Sequence, residues 1–304
     1  MEKRAIGSLE VSIVGLGCNN FGRRLDAAAT ATVVHAALDA GINFFDTADI
    51  YGGTNSEVYL GEALKGRRGD AIIATKFGHK VDEQRHGAKP AYIRQAVEDS
   101  LRRLGIETID LYQLHTPDAE TPIAETLGVL NDLVQAGKVR EIGCSNFTVA
   151  MLQEAEAAVL EGGARFMSVQ NEYSLFHRAP EQDVLAECAR THVGYLPYFP
   201  LANGLLTGKY RLGQPFPEGT RLQSARGAEV LTEKNLTQVE SLINFAESRG
   251  HTLLELAFSW LASQPVISSV IAGATSVQQI NSNAAAANWT LTQADFDEVD
   301  ALLS

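Results

Sequence analysis

From residue 13 onward, short apolar runs rich in β-branched and aromatic residues alternate with longer segments whose apolar positions recur about every 3.6 residues. The short runs predict strands at 13–18, 43–46, 71–76, 109–115, 141–145, 167–170, 194–197 and 266–271. The longer segments predict helices at about 28–40, 56–65, 90–104, 122–136, 148–160, 180–192, 232–262 and 276–287. Pro90, Pro122 and Pro180 lie near helix starts, where a missing N–H costs nothing, and Gly41, Gly105 and Gly137 follow helices as left-handed terminators. Ahead of this alternation, 4–6, a turn at Gly7-Ser8, and 9–12 read as a hairpin.

Eight strand-helix units predict an α/β protein, a (β/α)8 TIM barrel with an N-terminal β-hairpin, as one domain over 1–304. An open doubly wound sheet is the alternative. Its Gly-rich fingerprint should follow the first strand, but Gly15-Leu16-Gly17 has no third glycine at the required offset and opens no helix. The longest irregular segment, 202–230, carries 5 Gly and 2 Pro, and a loop of that length in a compact domain is usually functional.

Composition narrows the partners. With 25 Lys+Arg against 37 Asp+Glu the net charge is −12, and without a basic run nucleic acid is not expected. No apolar stretch approaches the roughly 20 residues of a membrane span, and Met1-Glu2-Lys3-Arg4 leads straight into a strand pattern without a secretory leader. Cys18, Cys144 and Cys188 form neither a disulfide framework nor a zinc set. A cytoplasmic protein is expected.

In such a barrel the loops following the strands share one face, and function sits there. Five consecutive strands end in polar groups: Asp46, Lys76, His115, Ser145-Asn146 and Gln170-Asn171. Any one of them has an ordinary explanation as a cap, a solvent-reaching lysine or a turn residue, but five at one face are harder to dismiss. With Tyr51 they contain no activated Ser or Cys and no ligand set for a catalytic metal. A Tyr becomes a usable acid near neutrality when an adjacent ammonium stabilises its phenolate. Lys76 is the candidate ammonium, Asp46 would keep it charged, and His115 could donate or relay a hydrogen bond to a carbonyl. Such a set protonates an oxygen that is gaining negative charge, but it lacks a source of electrons.

These residues carry a resemblance. Val14-Gly15-Leu16-Gly17-Cys18, the run Gly41-Ile42-Asn43-Phe44-Phe45-Asp46-Thr47-Ala48-Asp49-Ile50-Tyr51-Gly52, Ala74-Thr75-Lys76, Asp110-Leu111-Tyr112-Gln113-Leu114-His115, Gly143-Cys144-Ser145-Asn146-Phe147, Gln170-Asn171-Glu172-Tyr173, Tyr198-Phe199-Pro200-Leu201 and Gly273-Ala274-Thr275-Ser276 stand in order at the strand ends. In these motifs the chain resembles the aldo-keto reductases over essentially its whole length. The resemblance implies NADPH or NADH as the electron source, Tyr51 as general acid, Lys76 and Asp46 tuning it, and His115 orienting a carbonyl. It places Ser145, Asn146 and Gln170 on the nicotinamide carboxamide and Tyr198 on the ring. Phe199, Pro200, Leu201, Gly204 and Lys209 fall along the pyrophosphate, and Gly273, Thr275, Gln279 and Asn283 at the adenosine end.

Departures from the family pattern matter. Well-studied mammalian members carry Lys at the position of Gly273 and Arg at that of Gln279, where they face the 2′-phosphate. NADPH is nevertheless favoured over NADH, with Arg221 or Arg226 as replacement cations. Phe199 stands where Ser is common; Cys18 and Cys144 read as ordinary buried small residues, with oxidation sensitivity of Cys144 beside the nicotinamide site as the alternative. Two other readings stay open: a nicotinamide-binding redox sensor with little turnover, like the potassium-channel β subunits, and a Schiff-base aldolase using Lys76. Phe21, Ile50, Phe77, Phe176 and His177 are candidate pocket walls. The short tail after 302–303 predicts an open site for small aldehydes, ketones or sugars.

Overall fold

The computed structural model describes residues 1–82, 85–215 and 230–304. β1 (Lys3–Ile6) and β2 (Leu9–Ser12) form the antiparallel hairpin. Among the described residues, eight parallel strands then follow one another around a ring: β3 (Val14–Gly17), β4 (Phe44–Asp46), β5 (Ile72–Phe77), β6 (Ile109–Leu114), β7 (Val139–Ser145), β8 (Phe166–Glu172), β9 (Gly194–Tyr198) and β10 (Val270–Gly273). β10 pairs with β3, which an open doubly wound sheet would not do. The ring closes through a parallel bridge between Tyr195 and Ile267, where Tyr195 N donates to Val266 O (2.9 Å) and Ser268 N to Tyr195 O (3.0 Å). The expected (β/α)8 barrel with its hairpin is the fold.

The surrounding helices are α1 (Ala27–Asp39), α2 (Asn55–Ala63), α3 (Pro90–Leu104), α4 (Ile123–Gln135), α5 (Val149–Ala157), α6 (Val184–Thr191), α7 (Glu233–Glu247), α8 (Leu253–Ala262), α9 (Val277–Ala285) and α10 (Gln293–Leu303). Their starts follow from local chemistry. Asp26, Thr148, Thr232, Thr252, Ser276 and Thr292 each accept an otherwise unpaired N–H of the first turn. The segment expected as one helix over 232–262 is two, because Gly250 turns left-handed (φ 76°) and Thr252 with Glu255 forms a capping box that starts α8. The segment over 180–192 begins as a single 3-10 turn, Ala179–Gln182, with α6 following. The last helix, α10, was outside the predicted set, although Thr292 and Asp295 make a second capping box. No helix among the described residues is long and apolar enough to cross a membrane.

Alternation along the strands divides the barrel interior into two layers. Phe44, Ala74, Leu111, Leu196 and Ile271 form an apolar layer with Ile6, Leu9 and Val11 of the hairpin, which seals the base. Burying each large side chain there contributes about 1.5–3 kcal/mol. Arg4 fastens the hairpin by donating to the carbonyls of Ala262 (2.6 Å), Gln264 (3.0 Å) and Ile267 (2.7 Å), the first of these at the end of α8. Two residues further along the same strands stand Asp46, Lys76, Gln113, Tyr198 and Gly273. A period of two therefore puts a polar layer directly above an apolar floor.

Candidate active site

The segment after β4 is pinned from both neighbouring strands. Thr47 N donates to Ala74 O (2.8 Å), Asp49 N to Lys76 O (3.2 Å), and Cys18 N to Asp46 O (2.9 Å). The chain then enters a 3-10 turn, Tyr51–Thr54, through Gly52 and Gly53, both left-handed. Gly52 has φ 58°, and a Cβ there would lie 2.3 Å from the carbonyl oxygen of Phe21, so only glycine lets the loops after β3 and β4 meet. That contact fixes where Tyr51 stands.

Around Tyr51 the strand ends bring the expected groups together. Lys76 is fully buried and donates to Asp46 Oδ2 (2.6 Å) and to Thr47 O (2.8 Å), with Nζ 5.2 Å from the centroid of the Tyr51 ring. His115 stands edge-on to Tyr51, ring centroids 5.8 Å apart. Burial opposes the charge on Lys76, but Asp46 and Tyr51 together more than reverse it, and its pKa is raised. Lys76 is therefore a held ammonium and not the neutral amine that an imine-forming aldolase needs. For Tyr51 the outcome differs from the expectation that Lys76 brings the phenol toward neutrality. Burial is the largest influence and raises its pKa, and Lys76 offsets this only in part. Tyr51 is thus a protonated phenol throughout the neutral range.

Burial, followed by Lys76 and His79, holds the His115 imidazole down to about 2. A neutral ring cannot produce an acid limb, so kcat for carbonyl reduction is expected to stay level as pH falls from about 6.5 to about 5. A pH series of initial rates at saturating substrate checks this, and a tenfold fall across that range would show that the imidazole becomes charged.

A second group adjoins the first. Gln170 Nε2 donates to Asp46 Oδ1 (2.9 Å), while the backbone carbonyl of Gln170 accepts from Ser145 Oγ (2.7 Å). Asn146, left-handed at φ 63°, donates to His115 O (3.0 Å) and to Ser145 Oγ (3.1 Å), and its Oδ1 accepts from Tyr198 OH (2.9 Å). Ser145, Asn146, Gln170 and Tyr198 are therefore one connected set. After β9 the backbone is strained: Phe199 (φ 50°), Ala202 (φ 45°) and Asn203 (φ 58°) are left-handed without being glycine, and Gly204 (φ 104°) has open space where a Cβ would lie. Pro200 is buried, Leu201 half-buried and Lys209 exposed, with Lys209 Nζ 5.2 Å from the Tyr210 ring centroid. Beyond β10, Gly273 and Gln279 are exposed and Asn283 is buried, and Gln279 Oε1 accepts from Thr275 N (2.7 Å) and Thr275 Oγ1 (3.2 Å). β9 and β10 are neighbours across the closure, so both loops border one edge of the mouth. Arg221, Arg226 and much of the 202–230 loop lie outside the described residues.

Some assignments change and others are new. Phe21 and Phe77 are fully buried core residues, Phe77 stacked on Tyr112 at 4.7 Å, and not pocket walls. Ile50 and Phe176 are half-buried and His177 is exposed. Cys18 and Cys144 are fully buried, as expected, and burial raises both thiols well above their ordinary range, so the alternative of an oxidation-sensitive Cys144 is not supported. Gln113 was not singled out, yet its Nε2 donates to Asp46 Oδ1 (3.1 Å). The signal was its place two residues before His115, on the same face of β6. His79, packed edge-on against His115 at 4.6 Å, gave no such signal.

Comparison with known proteins assigns the family. Residues 13–304 match the sequence profile described as the Aldo/keto reductase family. The chain is 35% identical over 310 residues to the NADP(+) aldo-keto reductase yakc of Schizosaccharomyces pombe, covering 97% of this chain and 89% of that protein. It is 34% identical over 306 residues to aldo-keto reductase YhdN of Bacillus subtilis, covering 97% and 91%. Its fold superposes on a glycerol dehydrogenase structure from Gluconobacter oxydans with a TM-score of 0.87 at 32% identity, covering 99% of this chain and 95% of that one. The chain therefore belongs to the aldo/keto reductase family, and it is an oxidoreductase that reduces carbonyl groups with a nicotinamide cofactor.

Proposed function

We propose that the 304 residues act as one catalytic domain that reduces small aldehydes, ketones or sugars, with Tyr51 as proton donor and NADPH as the preferred cofactor. The observation that carries this reading is the buried Lys76–Asp46 pair beside Tyr51 and the neutral His115 at one barrel mouth. The nicotinamide, when bound, supplies a hydride to the carbonyl carbon. The carbonyl oxygen then becomes an alkoxide, a far stronger base than phenolate, so a protonated Tyr51 gives up its proton downhill even with a raised pKa. Lys76 stabilises the phenolate that remains, Asp46 keeps Lys76 charged, and His115 offers a neutral N–H to the same oxygen.

The donor set fits the cofactor. Ser145, Asn146 and Gln170 present amide and hydroxyl groups at one place, as a carboxamide requires, and Tyr198 offers a half-buried ring beside them. The strained turn through Phe199 and Gly204, with Lys209, would hold the pyrophosphate, and Gly273, Thr275 and Asn283 at the start of α9 the adenosine end. Gln279 is turned with its oxygen on Thr275, which leaves its amide N–H groups to donate to a 2′-phosphate. A charge-assisted bond of about 1.5 kcal/mol is a factor of about 10, so kcat/KM with NADPH is expected to exceed that with NADH by roughly that factor or more. Gln279→Ala should narrow the ratio, whereas equal or better rates with NADH would refute the preference. Three buried, free cysteines fit a reducing compartment, and we place the protein in the cytoplasm.

A further inference from the structure

Behind the turn that carries Tyr51 lies a buried cluster that the proton transfer itself does not use. Asp49, two residues before Tyr51, is 3% exposed, and Glu57 of α2 is fully buried. Glu57 is satisfied on both oxygens, by Thr75 Oγ1 of β5 (2.6 Å) and by Arg103 Nε of α3 (2.6 Å). Asp49 is not. Its carboxyl accepts one long side-chain bond, from Tyr92 OH of α3 to Oδ2 (3.3 Å), with weak further support from the backbone N–H of Ile50, and its Oδ1 is buried without a close partner. The hydroxyl of Tyr112 on β6 is also buried and unpartnered. Of the two buried carboxyl groups, Glu57 takes the guanidinium, and Asp49, which feels it only through space, sits on the catalytic turn. An acid left this short of donors is more than packing requires, since a buried polar group without a partner is costly.

We propose that Asp49 is a positioning residue for Tyr51: its carboxyl, tied to Tyr92, anchors the catalytic turn to α3, and the turn is held correctly while that carboxyl keeps its proton. The proposal rests on the reading of Tyr51 as proton donor. The groups facing Asp49 are Glu57 from α2, Arg103 and Tyr92 from α3, and Tyr112 from β6; Arg85, in the loop before α3, acts on Tyr92. Burial, with Glu57 next, pushes the Asp49 carboxyl from 3.8 up to about 7, against the opposing pull of Arg103 and the Tyr92 hydrogen bond. The folded chain therefore retains a proton that the unfolded chain releases above 3.8. Stability contributed by the neutral acid is lost as pH rises from there to about 7. Ionisation strengthens the Tyr92 bond but sets a second buried negative charge against Glu57, and that repulsion pushes the turn out of position.

The test compares wild type, Asp49→Ala, Asp49→Asn and Tyr51→Phe by kcat, KM, NADPH titration and melting temperature from about pH 5.5 to about pH 8.5. Asp49→Ala is expected to lower kcat about 10-fold with NADPH affinity within about 2-fold of wild type. Asp49→Asn, a neutral isostere, should recover most of kcat. It should also abolish the decline in kcat that wild type shows above about pH 7, and melt higher than wild type by a margin that widens as pH rises to about 7 and then stays level. The proposal falls if Asp49→Ala keeps its kcat, or if Asp49→Asn loses as much as Asp49→Ala and declines with pH as wild type does. An inactive Tyr51→Phe alongside an unaffected Asp49→Ala would reject the anchor and leave the role of Tyr51 standing.

Discussion

Tyr51→Phe is expected to lower kcat for aldehyde reduction by about 10²- to 10⁴-fold, the usual contribution of a positioned general acid. The substitution removes one hydroxyl from a half-buried ring and leaves intact the turn that holds it, with Tyr51 N on Ala48 O (3.2 Å) and Gly53 N on Ile50 O (3.3 Å). Folding and cofactor affinity should therefore stay close to wild type, and the loss should appear in kcat and not in NADPH titration. His115 cannot take over, because an imidazole held at about 2 has no spare proton to lose near neutrality. Lys76 cannot either, since it is committed to Asp46 and Thr47 O. Stopped turnover with normal NADPH binding is the expected signature, and a variant that still reduces aldehydes at near wild-type kcat would place the acid elsewhere.

The second large effect is on stability as well as rate. Lys76→Met is expected to destabilise the fold by about 3–5 kcal/mol, the cost of leaving one member of a buried ion pair without its partner. Asp46 would keep its amide donors Gln113 (3.1 Å) and Gln170 (2.9 Å), but in a layer where its side chain is 5% exposed two neutral donors do not replace an ammonium at 2.6 Å. For a chain of this size the loss corresponds to a fall in melting temperature of about 5 to 8 °C. The double variant Lys76→Met/Asp46→Asn removes both charges and should regain much of the stability without regaining activity. That separation distinguishes charge burial from chemistry. Single-variant melting within about 1 °C of wild type would mean that water reaches the pair and that the dry-layer account is wrong.

Several elements were legible in the sequence for identifiable reasons. Strand and helix order followed from the change of apolar period, and the starts of α3 and α4 from Pro90 and Pro122. The split between α7 and α8 was legible too, in Gly250 and the Thr252/Glu255 pair, but the continuous apolar periodicity across 232–262 concealed it. Phe21 and Phe77 show the opposite failure. Aromatic residues near strand ends suggested a pocket, whereas their burial against neighbouring elements depends on contacts distant in sequence.

What the sequence determined by itself is periodic or local: eight β-α units, a hairpin, and polar residues at strand ends on one face of a barrel. These need only the alternation of a strand and the chemistry of neighbouring residues. The tertiary structure alone decided the balance of charge. Whether burial outweighs Lys76 at the Tyr51 phenol, whether His115 is charged, and whether Asp49 keeps its proton each depend on how much water is excluded and which charges stand nearby. Both quantities are set by residues as far apart in the chain as Asp46 and Gln170, brought to 2.9 Å by closure of the ring.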